Sequence, residues 1–358
     1  MKIKSLKLTN IRSYSNAFFE FEDNLNVLVG ENAQGKTNVL EAIFYSVIGK
    51  SFRTNREKDL ILWGSDIGKI EALFDNNYRD IKIEIIIKKE GKKVVSVDGV
   101  CLHKLGELLG RTNAVFFSPN ELKLVKESPD DRRKFLNIAI SQTNKRYFYL
   151  LSRYDKVLAN RNKLLKSTHD LNVIRETIDI WDRSLCEIAE KIFLERKKFV
   201  EELTPFAEKA HEYLSNNKEI LKIEYKSDFK ENYKQNMLKA LQKNLEKDYK
   251  LGFTSIGVHR DDLNLFINDK EVKIFGSQGQ QRTVALSLKL AELECNKNRI
   301  GQYPILLLDD VFSELDESRR NKLLNFTKKA QTILTTTDIN EKIKAKIFKI
   351  KKNNEKNN

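Results

Sequence analysis

Eight residues near the N-terminus, Gly30-Glu31-Asn32-Ala33-Gln34-Gly35-Lys36-Thr37, carry the pattern G-x-x-x-x-G-K-[ST]. Each fixed position has a physical task. The glycines let backbone N–H groups wrap a β-phosphate, and a helix N-terminus behind them adds positive dipole. Lys36 reaches the β- and γ-phosphates, and the Thr37 hydroxyl is a hard oxygen ligand for Mg2+. Far downstream, Ile305-Leu306-Leu307-Leu308-Asp309-Asp310 is an apolar run ending in two carboxylates. Alone it says little, since many strands end in Asp. Beside a phosphate loop, the first acid is expected to hold Mg2+ through water and the second to polarise an attacking water. Asp310 stands where Glu is often found.

These groups need elements to position them, a strand before the loop and a helix after it. Residues 25–29 read as a buried strand, and a helix is expected from about 37 to 47. The first eleven residues alternate, with Ile3, Leu6, Leu8 and Ile11 apolar, as a strand does. Residues 67–100 read as a β-meander, with Ile81, Ile83, Ile85 and Ile87 in alternation and a turn at Asp98-Gly99. From about 132 the spacing becomes helical. Ile174, Ile178, Trp181, Leu185, Ile188, Ile192 and Phe199 predict a long amphipathic helix ending near Pro205, and another helix is expected over 229–248.

Residues 132–250 are therefore expected to form a helical lobe, inserted between the halves 1–131 and 251–350 of an α/β head. Its roughly 120 residues allow an out-and-back helical pair of about 40–50 Å. Sustained strict heptads are lacking. After 250, Leu263, Leu265 and Ile267 alternate, a helix runs from about 277 to 296, and 303–308 is a continuous apolar run of the central parallel type. Residues 333–337 read as a further strand and 342–350 as a closing edge strand. Residues 351–358 are expected to be a disordered tail.

Lys and Arg total 65 against 51 Asp and Glu in 358 residues, a net charge of +14. That excess favours a polyanionic partner, nucleic acid or an anionic membrane surface, over a merely solvated lysine-rich exterior. No stretch approaches the roughly 20 apolar residues of a spanning helix. The alternating N-terminus does not read as a secretory signal. Cys101, Cys186 and Cys295 are isolated, and the four histidines are scattered. They offer no disulfide framework and no metal spacing, so a reducing, cytoplasmic compartment is expected.

Ser277-Gln278-Gly279-Gln280-Gln281-Arg282 precedes a helix carrying Val284, Leu286, Leu288, Leu290 and Leu293. Read alone it is a serine N-cap with a polar first turn. It also resembles the ABC ATPase signature, whose core is S-G-G-Q, with Gln278 in place of the first Gly. Ser313-Glu314-Leu315-Asp316 resembles the D-loop of that class. All four elements occur in the ABC order. The resemblance implies that Ser277 and its helix N-terminus bind the γ-phosphate of a partner subunit's nucleotide. ATP then joins two heads, by binding the joined state better than the separate one.

The whole chain resembles the RecF family of bacterial recombination and repair proteins, which groups with the structural-maintenance-of-chromosomes ATPases. The residues that carry this are Leu8 to Tyr14, Gly30 to Asn38 with Leu40 to Ile43, Lys50 to Thr54, Phe116 to Pro119, Leu122, Leu124 to Lys126, and Ser128-Pro129 with Arg132-Arg133. Gly257 to Leu263, Ser277 to Arg282, Leu307 to Asp310 and Ser313 to Asp316 complete them. The resemblance implies an α/β fold, an ABC-type P-loop ATPase head with an inserted all-helical lobe.

It implies an ATP-dependent dimer that binds double-stranded DNA, and gaps or junctions with single strands. RecR and RecO are the implied partners, and placement of RecA on single-stranded gaps the implied task. The implied site comprises Gly30 to Asn38 on ATP, Lys36 on phosphate, Thr37 and Asp309 on Mg2+, and Asp310 on water. Ser277, Gln278, Gly279 and Gln280 would act in trans, with Ser313 and Asp316 in the D-loop. Three departures from the ABC pattern stand out. Thr335, Thr336 and Thr337 occupy the place of the switch histidine, Ser118 that of a glutamine, and Asp310 that of a Glu. Fewer groups position the water, so a weak, DNA-dependent ATPase is expected, a switch rather than a motor.

Two rival readings are a transporter cassette, which would need a membrane partner and usually keeps the histidine, and an ATP-holding DNA scaffold without hydrolysis. His259-Arg260-Asp261-Asp262 superficially matches a kinase catalytic loop. No kinase glycine-rich loop, VAIK-type strand or DFG accompanies it, so it is expected to structure the head. Arg53, Arg132, Arg133, Lys145 and Arg146 are candidate DNA contacts, against the plain alternative of solvated charges or salt bridges.

Overall fold

The computed structural model describes residues 1–167, 170–338 and 344–351. The expected tail and the start of the expected closing strand lie largely outside the described residues. The chain divides into two compact units, Met1–Glu121 with Leu286–Asn358, and Leu122–Ala285.

Among its described residues the first unit holds two sheets. Strands Tyr14–Glu20, Lys2–Ile11, Ile67–Asp75, Asp80–Lys88, Val94–Val97 and Val100–Cys101 form an antiparallel sheet in that order. Ile81, Ile83, Ile85 and Ile87 line its buried face while the residues between them face outward, the signature of a half-solvated sheet. The Asp98-Gly99 turn joins the last two strands. The second sheet is parallel throughout, in the order Lys346–Lys349, Leu25–Val29, Thr332–Thr336, Ile305–Asp309, Ala114–Phe117. Its three inner strands are buried almost without break, as a sheet covered on both faces is, and Asn26 and the threonines of Thr332–Thr336 are buried with the apolar residues.

Helix Lys36–Ile48 follows the strand Leu25–Val29 and touches strands of both sheets. Its sequence is apolar on every side (Val39, Leu40, Ala42, Ile43, Phe44, Val47), which suits only a helix covered all round. The Gln331 side chain brackets the two sheets. It accepts from Ile3 N at 2.7 Å and donates to the carbonyls of Ile3 and Glu22, each at 2.8 Å.

The second unit is helical in the main. Its helices are Lys123–Lys126, Pro129–Thr143, Lys145–Leu165, Leu171–Thr177, Asp179–Ser215, Tyr233–Lys243, Leu245–Leu251 and Val272–Phe275, and Gln278–Ile300 starts there. The longest has 37 residues, about 55 Å. It does not end at Pro205. Leu203 before the proline and Ala207, Ala210 and Leu214 after it keep one buried stripe, and that burial outweighs the one lost backbone bond. Within the span expected to be purely helical lies a strand, Leu221–Lys226. It pairs with Asp262–Ile267, and Lys270–Glu271 completes a small antiparallel sheet. This pairing is why residues 251–285, expected in the head, fold with the inserted unit.

The segment 257–262 also belongs there, and it ties helices together. Asp262 takes a bidentate pair from Arg132, at 2.6 and 2.9 Å. Asp261 accepts from Tyr225 at 2.5 Å and lies 3.7 Å from Arg196, whose guanidinium also reaches the Val258 carbonyl at 2.6 Å. His259 Nε2 lies 3.1 Å from the Thr254 carbonyl, which only accepts, so Nε2 carries the proton and Nδ1 accepts from Tyr154 at 2.7 Å. Burial lowers the His259 pKa from 6.5 to about 4, so the folded ring stays neutral. Between those values the unfolded chain takes up a proton that the folded chain refuses. This contribution is therefore whole above pH 6.5 and is lost as pH falls toward 4, by about 3 kcal/mol in all. Denaturant melts from pH 7 to 4.5 are expected to show the slope, and His259→Gln is expected to flatten it.

Candidate nucleotide-binding site

The phosphate loop closes the strand Leu25–Val29 and opens the helix behind it, as the pattern requires. Gly35 caps the helix with φ 106°, and a side chain there would also come within 2.7 Å of Ser13 Oγ. At Gly30 a side chain would strike the Ile350 carbonyl and the Gln34 side chain. Glu31, Asn32 and Ala33 form the open rim of the loop. Lys36 lies folded over it, donating to the carbonyls of Gly30 and, at 3.0 Å, Glu31. Burial lowers the Lys36 pKa, while Asp310 and Asp309 pull it back up.

Asp309 ends the strand Ile305–Asp309. Its Oδ1 accepts from Thr37 Oγ1 at 2.9 Å and from Thr335 Oγ1 at 2.8 Å. Burial raises its pKa, and the two hydroxyl bonds work against that rise. Asp310 turns the chain with φ 49°, and its N–H bonds to Thr335 Oγ1 at 2.9 Å. Thr335 thus secures both acids, at the place where a histidine was absent from the pattern. Ser118 is buried, just past the strand Ala114–Phe117. All these groups lie at the carboxyl ends of parallel strands, where open α/β sheets bind ligands. The donor set fits Mg2+, a hydroxyl and one carboxylate with coordination positions left for water and phosphate oxygens. Among the described residues no cluster of three or more His, Cys, Asp or Glu forms a self-sufficient metal cage.

A latch behind the loop went unread in the sequence. Glu41, on the buried helix, is 1% exposed and receives a bidentate pair from Arg12 at 2.8 and 2.9 Å, with Ser51 at 2.5 Å. Tyr14 donates to the Gly35 carbonyl at 3.3 Å, its phenol kept protonated by burial that pushes its pKa to about 12. Asn38 donates to Ser13 at 3.0 Å and accepts from Arg53 at 2.9 Å. The signal was available, since a glutamate in an otherwise apolar helix must find a cation.

Of the D-loop residues, Ser313 donates to the Asp310 carbonyl at 2.7 Å. Asp316 caps the helix Glu317–Thr327, accepting from Arg319 N at 2.9 Å, a bond that lowers its pKa. The signature stands in the other unit. Ser277 and Gln280 form a reciprocal capping box. Gln280 N donates to Ser277 Oγ at 3.2 Å, and Ser277 N donates to Gln280 Oε1 at 2.8 Å. Ser277 and Gln278 are exposed, Gly279 and Gln280 partly so, and a helix N-terminus of a 23-residue helix opens behind them.

The five basic candidates separate. Arg132 is 5% exposed and paired with Asp262, the salt-bridge alternative of the sequence reading. Arg133 is bound to the Asp261 carbonyl at 2.7 Å and to Asp130. Arg53 is 45% exposed but stands beside Asn38 and Glu41 at the phosphate-loop helix. Lys145 and Arg146 are exposed at the start of Lys145–Leu165.

Residues 2–357 match the model of the RecF/RecN/SMC N-terminal domain. A DNA replication and repair protein RecF of Clostridium perfringens (strain SM101 / Type A) is 43% identical over 343 residues, 95% of this chain and 94% of that protein. A solved structure of the recombination mediator RecF with ATP, described in the RecFOR pathway, is 34% identical. It superposes with a TM-score of 0.90 over 97% of this chain and 95% of that one. An Smc head domain with an extended coiled coil, from Pyrococcus furiosus, is 18% identical, with a TM-score of 0.55 over 94% of this chain and 89% of that one, and shares the fold. No helix among the described residues is long and apolar enough to cross a membrane. With these matches over nearly its whole length, and an ABC-type head built around a phosphate loop, the chain belongs to the RecF family of DNA replication and repair proteins.

Proposed function

We propose that this protein is an ATP-switched clamp of recombinational repair, closing as a homodimer on double-stranded DNA and on gaps or junctions with single strands. The observation that carries it is the convergence of Thr37 and Thr335 on Asp309, beside Lys36, in a chain of this family. Backbone N–H groups of 30–38 and Lys36 would hold the phosphates. Thr37 and Asp309 would hold Mg2+, which supplies charge neutralisation at the phosphates when bound. Asp310 is the acid left to orient water, and its backbone is pinned by Thr335. The hydroxyl of Thr335 replaces a titratable imidazole, which favours slow turnover, below about 1 per second. Ser277, exposed at a helix N-terminus, would grip the γ-phosphate held by a second copy. RecR and RecO, members of the pathway named for the solved relative, are the proposed partners, and delivery of RecA to gapped DNA the proposed outcome.

Anisotropy of labelled duplex DNA, measured with ATP, ADP and no nucleotide over a salt series, tests this reading. ATP is expected to tighten binding at least tenfold over ADP, with a steep salt slope from phosphate contacts. Equal affinity in all three states would remove the switch.

A further inference from the structure

The capping box of the signature does not stand alone. Gln280 uses its amide oxygen on Ser277 N and its amide nitrogen on Glu219 Oε1, at 2.9 Å. The other oxygen of Glu219 lies 3.1 Å from His211 Nε2. A carboxylate only accepts, so the imidazole donates. His211 is wholly buried in the last turns of Asp179–Ser215, and Glu219 stands in the short connection after that helix. Every link, Ser277 to Gln280 to Glu219 to His211, lies in the same compact unit. Glu219 joins the two ends, and its side chain is 18% exposed.

We propose that Glu219 is a positioning residue for the signature, fixing Ser277 to the end of the longest helix of the inserted unit. This deepens, and rests on, the reading of Ser277 as a γ-phosphate ligand in trans. The geometry explains why the amide of Gln280 suits this place. An amide offers an acceptor to the Ser277 N–H and, on the same planar group, a donor to the carboxylate. With Glu219 removed, Gln280 is free to rotate, and the Ser277 main chain loses its fixed acceptor. The hydroxyl is then no longer pre-aimed, and ordering it falls on the binding step. A bond network spanning the base of a rigid 37-residue helix and the signature also gives that helix a direct means of biasing the switch.

The test compares Glu219→Leu, Glu219→Gln and Ser277→Arg in the full chain. Readouts are a fluorescent ATP analogue on the monomer, the ATP-dependent dimer constant by sedimentation, and thermal melting. Glu219→Leu is expected to weaken the ATP dimer at least tenfold while nucleotide affinity stays within twofold. Glu219→Gln, which keeps an oxygen for Gln280, is expected to stay within threefold of wild type in both. Wild-type dimerisation by Glu219→Leu beside a monomeric Ser277→Arg would overturn the positioning role and leave the trans signature standing. Unaltered dimers in both variants would overturn the two together. Equal loss of nucleotide binding and dimerisation, or of the fold, in both Glu219 variants would mark a structural residue and overturn the proposal as well.

Discussion

Lys36→Met is expected to abolish ATP-dependent behaviour, cutting nucleotide affinity and hydrolysis by at least two to three orders of magnitude. The ammonium is the only cation that the loop itself carries among 30–37, and it already lies over the loop, donating to Gly30 and Glu31. Those carbonyl contacts hold it where phosphate oxygens would replace them. Burial lowers its pKa, and the neighbouring Asp310 and Asp309 favour its charged form. A loss of this size corresponds to about 3–4 kcal/mol, what removal of one preorganised charged donor costs a phosphoryl-transfer site. Methionine keeps the stem's bulk, so melting without nucleotide is expected to change little. Titration with a fluorescent ATP analogue and a phosphate-release assay check the two halves. Retained affinity would place the phosphates elsewhere.

The second large effect concerns stability. Arg161 is wholly buried, with Asp182 at 2.6 Å, Asp248 at 2.8 Å and Thr254 at 2.9 Å. Arg161→Leu leaves two carboxylates in the interior without their cation. Breaking a buried ion network by removing one partner costs about 3–5 kcal/mol. For a unit of this size that is a fall in melting temperature on the order of 10 °C. Burial already raises the Asp182 pKa, against the pull of Arg161. Without Arg161 that rise is unopposed. A raised folded-state pKa adds relative stability as pH falls, so the variant's deficit is expected to be larger at pH 8 than at pH 5. Melting curves at both values test it, and an equal or smaller deficit at pH 8 would contradict the charge argument.

The parts legible in the sequence were those written contiguously. The phosphate loop, the apolar strand before Asp309 and the serine cap at 277 each occupy a few adjacent residues, and local physics dictates their form. The parts that escaped depend on distant partners. Glu41 stood out as an acid in an apolar helix, but which cation meets it was not written nearby, since Arg12 lies 29 positions earlier. Thr335 lay in a β-branched run whose strand character was plain, whereas its bond to Asp309 needed the neighbouring parallel strand. Residues 221–226 alternate cleanly, yet their partner strand lies some forty positions on, beyond two helices. Pro205 is a local stop signal overruled by burial on either side of it. Glu219 sits in a connection with no periodicity, so nothing short of the folded unit marks it.

The central claim is that ATP joins two copies through Ser277. Sedimentation velocity of the wild-type chain and of Ser277→Arg, each without nucleotide, with ADP and with ATP, addresses it most directly. The predicted result is a dimer in wild type with ATP alone, and a Ser277→Arg variant that binds nucleotide but stays monomeric. A wild-type monomer in every state, even with duplex DNA added, or an ATP dimer that persists in Ser277→Arg, would contradict the clamp.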